Sequence, residues 1–341
     1  MYRRRLQRTR SDFGVEHAGE RKDEDIMTFN RRSEMPYCLT RREAGRLVVG
    51  AVAALAAWPS SSQAFKRFAL GASDLAVISD GYLELPAAFS FPNVPEAERS
   101  AVLAANKLSL DTLKPDCNVT LLRAGQRIVL FDVGSGAHFM RSAGKLLGNL
   151  QESGIDPVSI TDVVFTHGHP DHLWGLTDEF DELIFPAATY RMNEVEWNYW
   201  LDPDTLGKAP EDRKAFVVGA QKRLPLISDR LKLFKAGAEI LPGIEAIETP
   251  GHTPGHTSFL LHHGSDPVLV AGDVLSSTIS FTNPHWHGGT DHDPTMAVET
   301  RKRLLDRIAN DKVRIVGFHL PHPGDGIAKA EGTAYRFVPF G

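Results

Sequence analysis

Past residue 64 the chain reads as short apolar runs separated by glycine, proline and small polar residues, and the period of each run assigns it. DLAVISDGYLEL (74–85) alternates as a strand with a Gly turn. PDCNVTLLRAGQRIVLFDVGSG (115–136) is two apolar runs around RAGQ, the pattern of a hairpin. AHFMRSAGKLLGNLQESG (137–154) has helical spacing and ends at a glycine. TDVVFT (161–166) is a short buried strand, residues 192–224 read as helical and aromatic-rich, and GIEAIET (243–249), TSFLLHH (257–263) and PVLVAGD (267–273) are strands. PTMAVETRKRLLDRIAND (294–311) predicts a helix with Pro near its start, and VRIVGF (313–318) a closing strand. Strands mixed with helices in two similar halves predict an α/β fold of two packed sheets with helices outside.

The N-terminal part is different material. Residues 1–46 are arginine-rich and lack apolar periodicity, and LVVGAVAALAAW (47–58) then runs without a charge. A basic segment, a short apolar stretch and the small residues before Ala64 form the pattern of an export signal. The apolar stretch is too short for a membrane span, which needs about 20 residues. The adjacent Arg41 and Arg42 in LTRREAGR resemble a twin-arginine signal, which carries folded proteins out of the cytoplasm. The chain therefore divides at residue 64 into an N-terminal extension (1–64) and a body (65–341), with a periplasmic or secreted location expected. Twelve of the 38 Lys/Arg and eight of the 43 Asp/Glu fall in residues 1–64, leaving 26 against 35 in the body. An acidic body argues against nucleic acid, whose phosphates need a basic stripe.

Chemistry concentrates where strands end. THGHPDH (166–172) places His167, His169, Asp171 and His172 on the loop leaving a buried strand, and a simple polar turn has no use for three histidines. TPGHTPGH (249–256) carries His252 and His256, VLVAGD ends in Asp273, and VRIVGF is followed by His319. His256 sits in a turn that Pro and Gly already explain, so it reads as a supporting residue. The remaining five histidines and two aspartates supply three ligands for each of two metals plus one shared carboxylate, whereas a single catalytic zinc uses only three protein ligands. With only Cys38 and Cys117 in the chain, a cysteine-rich zinc site is excluded. A pair of metals acidifies the water between them, so the expected reaction is hydrolysis by a metal-bridging hydroxide, with Asp171 as a candidate proton carrier. Asp80 and Asp132, each at a strand end, are candidates for hydrogen-bonding the outer imidazole nitrogens, with plain turn residues as the equal reading.

These motifs, in this order, resemble those of the metallo-β-lactamase superfamily over roughly residues 70–341. The resemblance implies a four-layer αββα sandwich, two Zn2+ ions, His167, His169 and His252 on one metal, Asp171, His172 and His319 on the other, and Asp273 bridging. Within the superfamily, the β-lactamases proper place a cysteine among the second-metal ligands or lack the bridging Asp; this chain has Asp273 and no cysteine suited to that place. Quorum-quenching lactonases carry a Tyr three residues after the bridging Asp, where Ser276 stands. AEGTAYRFVPF (330–340), HLPHPG (319–324) and the SDG at 79–81 resemble methyl parathion hydrolase-like members, although the His-rich loop SFTNPHWHGGTDHDP (280–294) departs from them. His285, His287 and His292 in that loop read as a solvated loop near the pocket mouth or an extra metal site.

Phe139, Trp197 and Trp200 are the candidate apolar wall of a substrate pocket, with core packing as the alternative for NEVEWNYWL. The expected partner is a small neutral molecule (an ester, a lactone or an organophosphate triester), with a homodimer left open. An iron-dependent oxidoreductase on the same fold is the competing class, and the Asp171–His172 pair favours hydrolysis over it. Export is testable directly. The full-length chain in a bacterium with a twin-arginine pathway should appear in the periplasm with a new N-terminus near Phe65, as read by fractionation and N-terminal sequencing. Changing Arg41 and Arg42 to Lys should hold it in the cytoplasm; unchanged export would point to another route or to no signal.

Overall fold

The computed structural model describes residues 63–340; the expected leader lies almost wholly outside them. The first seven-stranded sheet contains β1 (Phe65–Leu70), β2 (Ser73–Tyr82), β5 (Asp116–Ala124), β6 (Arg127–Phe131), β7 (Asp162–Val164), β8 (Thr189–Asn193) and β9 (Leu231–Phe234), in that spatial order. A small pair, β3 (Leu85–Pro86) and β4 (Thr112–Leu113), lies in the excursion between β2 and β5. The second sheet runs β10 (Glu239–Leu241), β11 (Ile244–Glu248), β12 (Thr257–Leu261), β13 (Val268–Val270), β14 (Arg314–Val316), β15 (Asp325–Glu331) and β16 (Ala334–Pro339). Pairing is antiparallel from β1 to β6 and parallel from β6 to β9; in the second sheet only β13 and β14 are parallel.

Alternation along each strand sorts the side chains into layers. Leu75 and Val77 of β2, Val129 and Phe131 of β6 and Val164 of β7 meet Phe259 and Leu261 of β12, Val268 and Val270 of β13 and Val316 of β14 between the sheets. Their neighbours Ala76, Ile78, Leu130 and Val163 face the opposite way, into a core covered by helices that include Leu146–Glu152 and Lys214–Arg223. Leu260, Leu269 and Ile315 face out from the second sheet onto the helix Pro294–Asn310, through Leu304, Leu305 and Ile308. Strands buried on both faces read as unbroken apolar runs, which is why TDVVF and PVLVAG show so little polarity. The result is the expected αββα sandwich.

Three expectations change. The helix foreseen over 137–154 is only Leu146–Glu152, because tertiary bonds capture the backbone before it. Asp80 accepts from the backbone N–H of Ser135 (2.8 Å), Gly144 (3.1 Å) and Leu146 (2.8 Å). Asp80 is thus a clamp on the loop after β6, not a partner of a histidine. The helical span 192–224 begins inside β8 and is broken at Asp202–Pro203–Asp204 and at Pro210, where proline removes a donor and fixes φ. The C-terminal hairpin β15–β16 was not foreseen, since its strands are half exposed and mixed in polarity.

Asp80→Ala strips three N–H groups of their acceptor in a buried place. We expect it to lower stability by about 3 kcal/mol in urea-induced unfolding. A loss below about 1 kcal/mol would mean that water replaces the carboxylate and that the clamp is dispensable.

Candidate metal centre

Each candidate ligand stands on a loop at the C-terminal end of a strand: 166–172 after β7, 249–256 after β11, Asp273 after β13 and His319 after β14. All are buried. His169 Nδ1 lies 2.9 Å from His252 Nε2. His172 Nε2 is 3.1 Å from Asp273 Oδ1 and 3.5 Å from Asp171 Oδ2. His319 Nε2 is 3.2 Å from both Asp171 Oδ2 and Asp273 Oδ2, and His252 Nε2 is 3.3 Å from Asp273 Oδ2. The seven residues named from the sequence therefore come together, with Asp273 in the middle.

The local sequence explains the crowding. Gly168 leaves room for an indole, because a Cβ there would sit 2.3 Å from Trp200 Nε1. Gly272 takes φ +60°, where a Cβ would also press on His256 Nε2, and so turns the chain to present Asp273. Asp132, at the end of β6, holds the left-handed φ of 64° that side-chain-bearing residues seldom adopt. In that posture it accepts from Thr166 N and Oγ1 (both 2.7 Å) and from His172 Nδ1 (2.8 Å). Thr166 Oγ1 in turn lies 3.0 Å from His167 Nδ1. Asp132 thus orients two imidazoles, the supporting role that Asp80 lacks.

Other outer contacts come from Asp291 and Glu196, which the sequence left unassigned, and from His292, which packs on a candidate ligand where a solvated loop or an extra metal site was expected. Asp291 Oδ1 lies 2.8 Å from His252 Nδ1, and His292 Nε2 is 3.2 Å from His169 Nε2. The His-rich loop therefore supports the ligands through Asp291 and His292; His285 is exposed and His287 bonds its neighbour's carbonyl, that of Gly288. Glu196 is fully buried and ties two metal loops together. It accepts from Gly168 N (2.9 Å) and Trp200 Nε1 (2.6 Å) with one oxygen, and from Thr253 Oγ1 (2.8 Å) and Gly255 N (2.9 Å) with the other. A glutamate inside an aromatic helical run was the available signal. His256 accepts from Asp273 N through Nε2 (2.9 Å), which leaves it no lone pair for a metal and matches its supporting role.

Charge in the cluster is divided. Burial, with help from neighbouring imidazoles, holds His167 and His169 well below the usual histidine range, so both are neutral lone-pair donors. Burial also pulls on His172 and His319, but Asp273 and Asp171 outweigh it and raise both well above that range. His252 is pushed up to about 9, its burial outweighed by Asp273 and Asp291. Asp171 and Asp273 are buried yet held well below the carboxylate range by the facing imidazoles. The two carboxylates demand positive charge at their centre. His167 Nε2, His172 Nε2, Asp171 Oδ2 and Asp273 Oδ1 are buried without a hydrogen-bond partner, although polar groups crowd around them. Buried polar atoms are rarely left so. A nitrogen-and-oxygen set with unspent lone pairs fits divalent cations.

One expectation is corrected here. Cys117 is fully buried, and its Sγ joins Asp171 and His319 in a group whose donor atoms lie within 4.8 Å of one another, so a cysteine does stand beside two of the candidate ligands. Burial pushes its thiol up to about 12.

A cleft of about 470 Å³ opens over the cluster, with His169, Asp171, Asp273 and His319 in its floor. Its walls are mainly Leu83, Leu85, Phe89, Phe91, Leu113, Phe139, Met140, Phe216 and Ile279. Phe139 is where it was expected. Trp197 and Trp200 are not in this lining: Trp200 is 1% exposed and packs edge-on to His169 (5.8 Å between ring centres), and Trp197 packs on the outer helical core. Their helical spacing was that of core packing.

Among solved structures, the chain is similar to AidC, a dizinc quorum-quenching lactonase in complex with a product, at a TM-score of 0.77 and 27% identity, covering 82% of this chain and 99% of that one. It is equally similar to the hydrolase AbOPH of the beta lactamase superfamily, at a TM-score of 0.76 and 27% identity over 83% of this chain and 99% of that one. An N-acyl homoserine lactonase of a Bacillus species is 25% identical over 175 residues, which is 51% of this chain and 61% of that enzyme, so less than two thirds of that relative is spanned. The metallo-beta-lactamase superfamily model matches residues 114–319, the interval that runs from the start of β5 to the last histidine of the cluster. By that match, and by the layered fold and ligand geometry that agree with it, the chain belongs to the metallo-beta-lactamase superfamily.

Proposed function

We propose that this protein is a dinuclear metal hydrolase, with zinc as its metal, that cleaves a neutral, largely apolar ester or lactone, and an organophosphate triester less readily. The observation that carries the reading is the set of partnerless buried atoms on His167, Asp171, His172 and Asp273, two of which, Asp171 and Asp273, belong to residues in the floor of an apolar cleft. His167, His169 and His252 would hold one ion and Asp171, His172 and His319 the other, with Asp273 shared. Bound there, divalent ions polarise a carbonyl or phosphoryl oxygen and acidify water. The similarity to a dizinc lactonase supports the assignment.

The chain's own residues do the rest. Asp132 and Asp291 fix the rings of His172 and His252 so that each Nε2 points inward, and a carboxylate on the outer nitrogen raises the ligand's basicity. Glu196 keeps the two histidine loops in register. Asp171, in both the cluster and the cleft floor, would be the residue to carry a proton to the leaving group, once bound ions replace the imidazole charge that now holds its carboxyl low. The aliphatic and aromatic walls exclude water from the bound molecule and select against charge. Among the described residues, Lys114 is the one Lys or Arg in the lining, and it is paired with Glu84 at 2.9 Å, so an anionic substrate meets no unpaired Lys or Arg there. Export of the body by the 1–64 segment would place this activity outside the cytoplasm.

Two measurements test the reading. Asp273→Ala should leave the purified protein with less than a full complement of metal and cost about 100-fold or more in kcat/KM, since a shared ligand should matter at least as much as an outer partner. His256→Ala should keep its metal and lose about 1–3 kcal/mol of stability, because the Asp273 N–H loses its acceptor and Thr249 loses its contact with Nδ1. Equal loss of metal in both variants, read by elemental analysis, would overturn the ligand assignment.

On one zinc-loaded preparation, an aryl ester or lactone should be turned over faster than a phosphotriester. Phe216→Ala should raise KM for the aryl substrate by about 10- to 150-fold with metal content intact, the equivalent of about 1.5–3 kcal/mol of ring burial. A phosphotriester turned over far faster than any ester or lactone would reverse that order.

A further inference from the structure

We propose that Cys117 is a sulfur donor to the second metal position, making that position thiolate-bearing in addition to Asp171, His172 and His319. The inference rests on the dinuclear reading above and concerns which donors complete it.

Strand geometry makes the placement specific. Asp116 and Asn118 flank Cys117 at the start of β5, and alternation sends their side chains to one face and Cys117 to the other. Asp116 Oδ2 accepts from His322 N (2.9 Å), and Asn118 Oδ1 lies 2.6 Å from His322 Nδ1. Asn118 Nδ2 donates to the carbonyls of Leu320 (2.7 Å) and Gly317 (3.2 Å), and Asn118 N to that of Phe318 (2.9 Å). Asp116 O lies 2.8 Å from His319 Nδ1. The residues on either side are thus pinned to the loop that carries His319, and Cys117 has little freedom to turn away. Its sulfur stands within 4.8 Å of the donor atoms of His319 and Asp171.

A buried cysteine alone is most often a small apolar filler, and Cys117 does touch the outer core of the first sheet. The second observation is independent of it. Asp171 Oδ2, His172 Nε2 and Asp273 Oδ1 are buried and lack hydrogen-bond partners, and His172 Nε2 lies 3.5 Å from the first and 3.1 Å from the last. Asp171 belongs to this set, and the sulfur of Cys117 lies within 4.8 Å of the donor atoms of Asp171 and His319. On binding, a metal–sulfur bond forms, the S–H bond breaks and its proton leaves to solvent; no oxidant or reductant is required, and thiolates favour zinc, cadmium and cobalt over magnesium or calcium.

Cobalt(II) substitution of the full chain reads this out optically. Titration of the metal-free protein should produce visible d–d bands from the nitrogen and oxygen donors. As the second equivalent binds, it should also produce a near-ultraviolet sulfur-to-cobalt charge-transfer band. Cys117→Ser should abolish that band, keep the d–d bands and weaken the second equivalent by about tenfold or more. Cys38→Ser should leave every band in place, which assigns the sulfur, and thermal unfolding of the metal-free variants checks that Ser at 117 is tolerated. Two equivalents of cobalt with d–d bands and no sulfur band in the unaltered protein would overturn this inference and leave the dinuclear reading standing. Failure to bind two equivalents would overturn both.

Discussion

Seven buried side chains point lone pairs at one another across distances near 3 Å, at the edge where the C-terminal ends of the strands of two sheets meet. Two of them are carboxylates whose mutual repulsion no uncharged neighbour relieves. The arrangement persists because each ligand is held from behind. Asp132 holds His172 and, through Thr166, His167; Asp291 holds His252; the Asp116 carbonyl holds His319; and His256 holds the backbone of Asp273. Burial alone would lower His172, His252 and His319, yet the facing carboxylates raise all three, which is a sign of how strongly the centre demands positive charge. Divalent ions would satisfy that demand better than protons do, and their binding would then be linked to proton release.

The sandwich exists to hold those outer supports still. Strands buried on both faces cannot slip in register without moving every side chain into the wrong layer. Asp132 and Thr166 therefore keep fixed positions at the ends of β6 and β7. Glu196 performs the same service across loops, since its two oxygens take four donors from the 168, 200, 253 and 255 positions. Such a fully satisfied buried carboxylate rigidifies what it touches, while a half-satisfied one would destabilise it. The cleft is built from different material: the excursion 83–113, the loop around Phe139 and the helix bearing Phe216. Specificity can therefore vary in these segments without disturbing the ligands.

The sequence by itself determined the layers and pointed to the candidate ligands. Apolar runs bounded by turns gave most strands of both sheets and the helix at 294–310, because burial on both faces leaves a contiguous signal. His167, His169, Asp171, His172, His252, Asp273 and His319 were legible because metal-binding side chains at successive strand ends have few other uses. The half-exposed hairpin β15–β16 left a weaker trace, and the helix over 137–145 was overridden by backbone bonds to Asp80, which lies more than fifty residues away in the chain.

Only the tertiary structure decided what surrounds the ligands. Trp200 and Phe139 are both aromatic residues near the site, yet one is buried under Gly168 and the other lines the cleft. Asp80 and Asp132 both follow apolar runs, and one clamps a loop while the other orients two histidines. Asp291 and His292 sit in a loop with no period to read, and Cys117 lies inside an ordinary strand. In each case the function is a contact between segments far apart in sequence. Local pattern reports which face of an element is buried, but not which distant atom it is buried against.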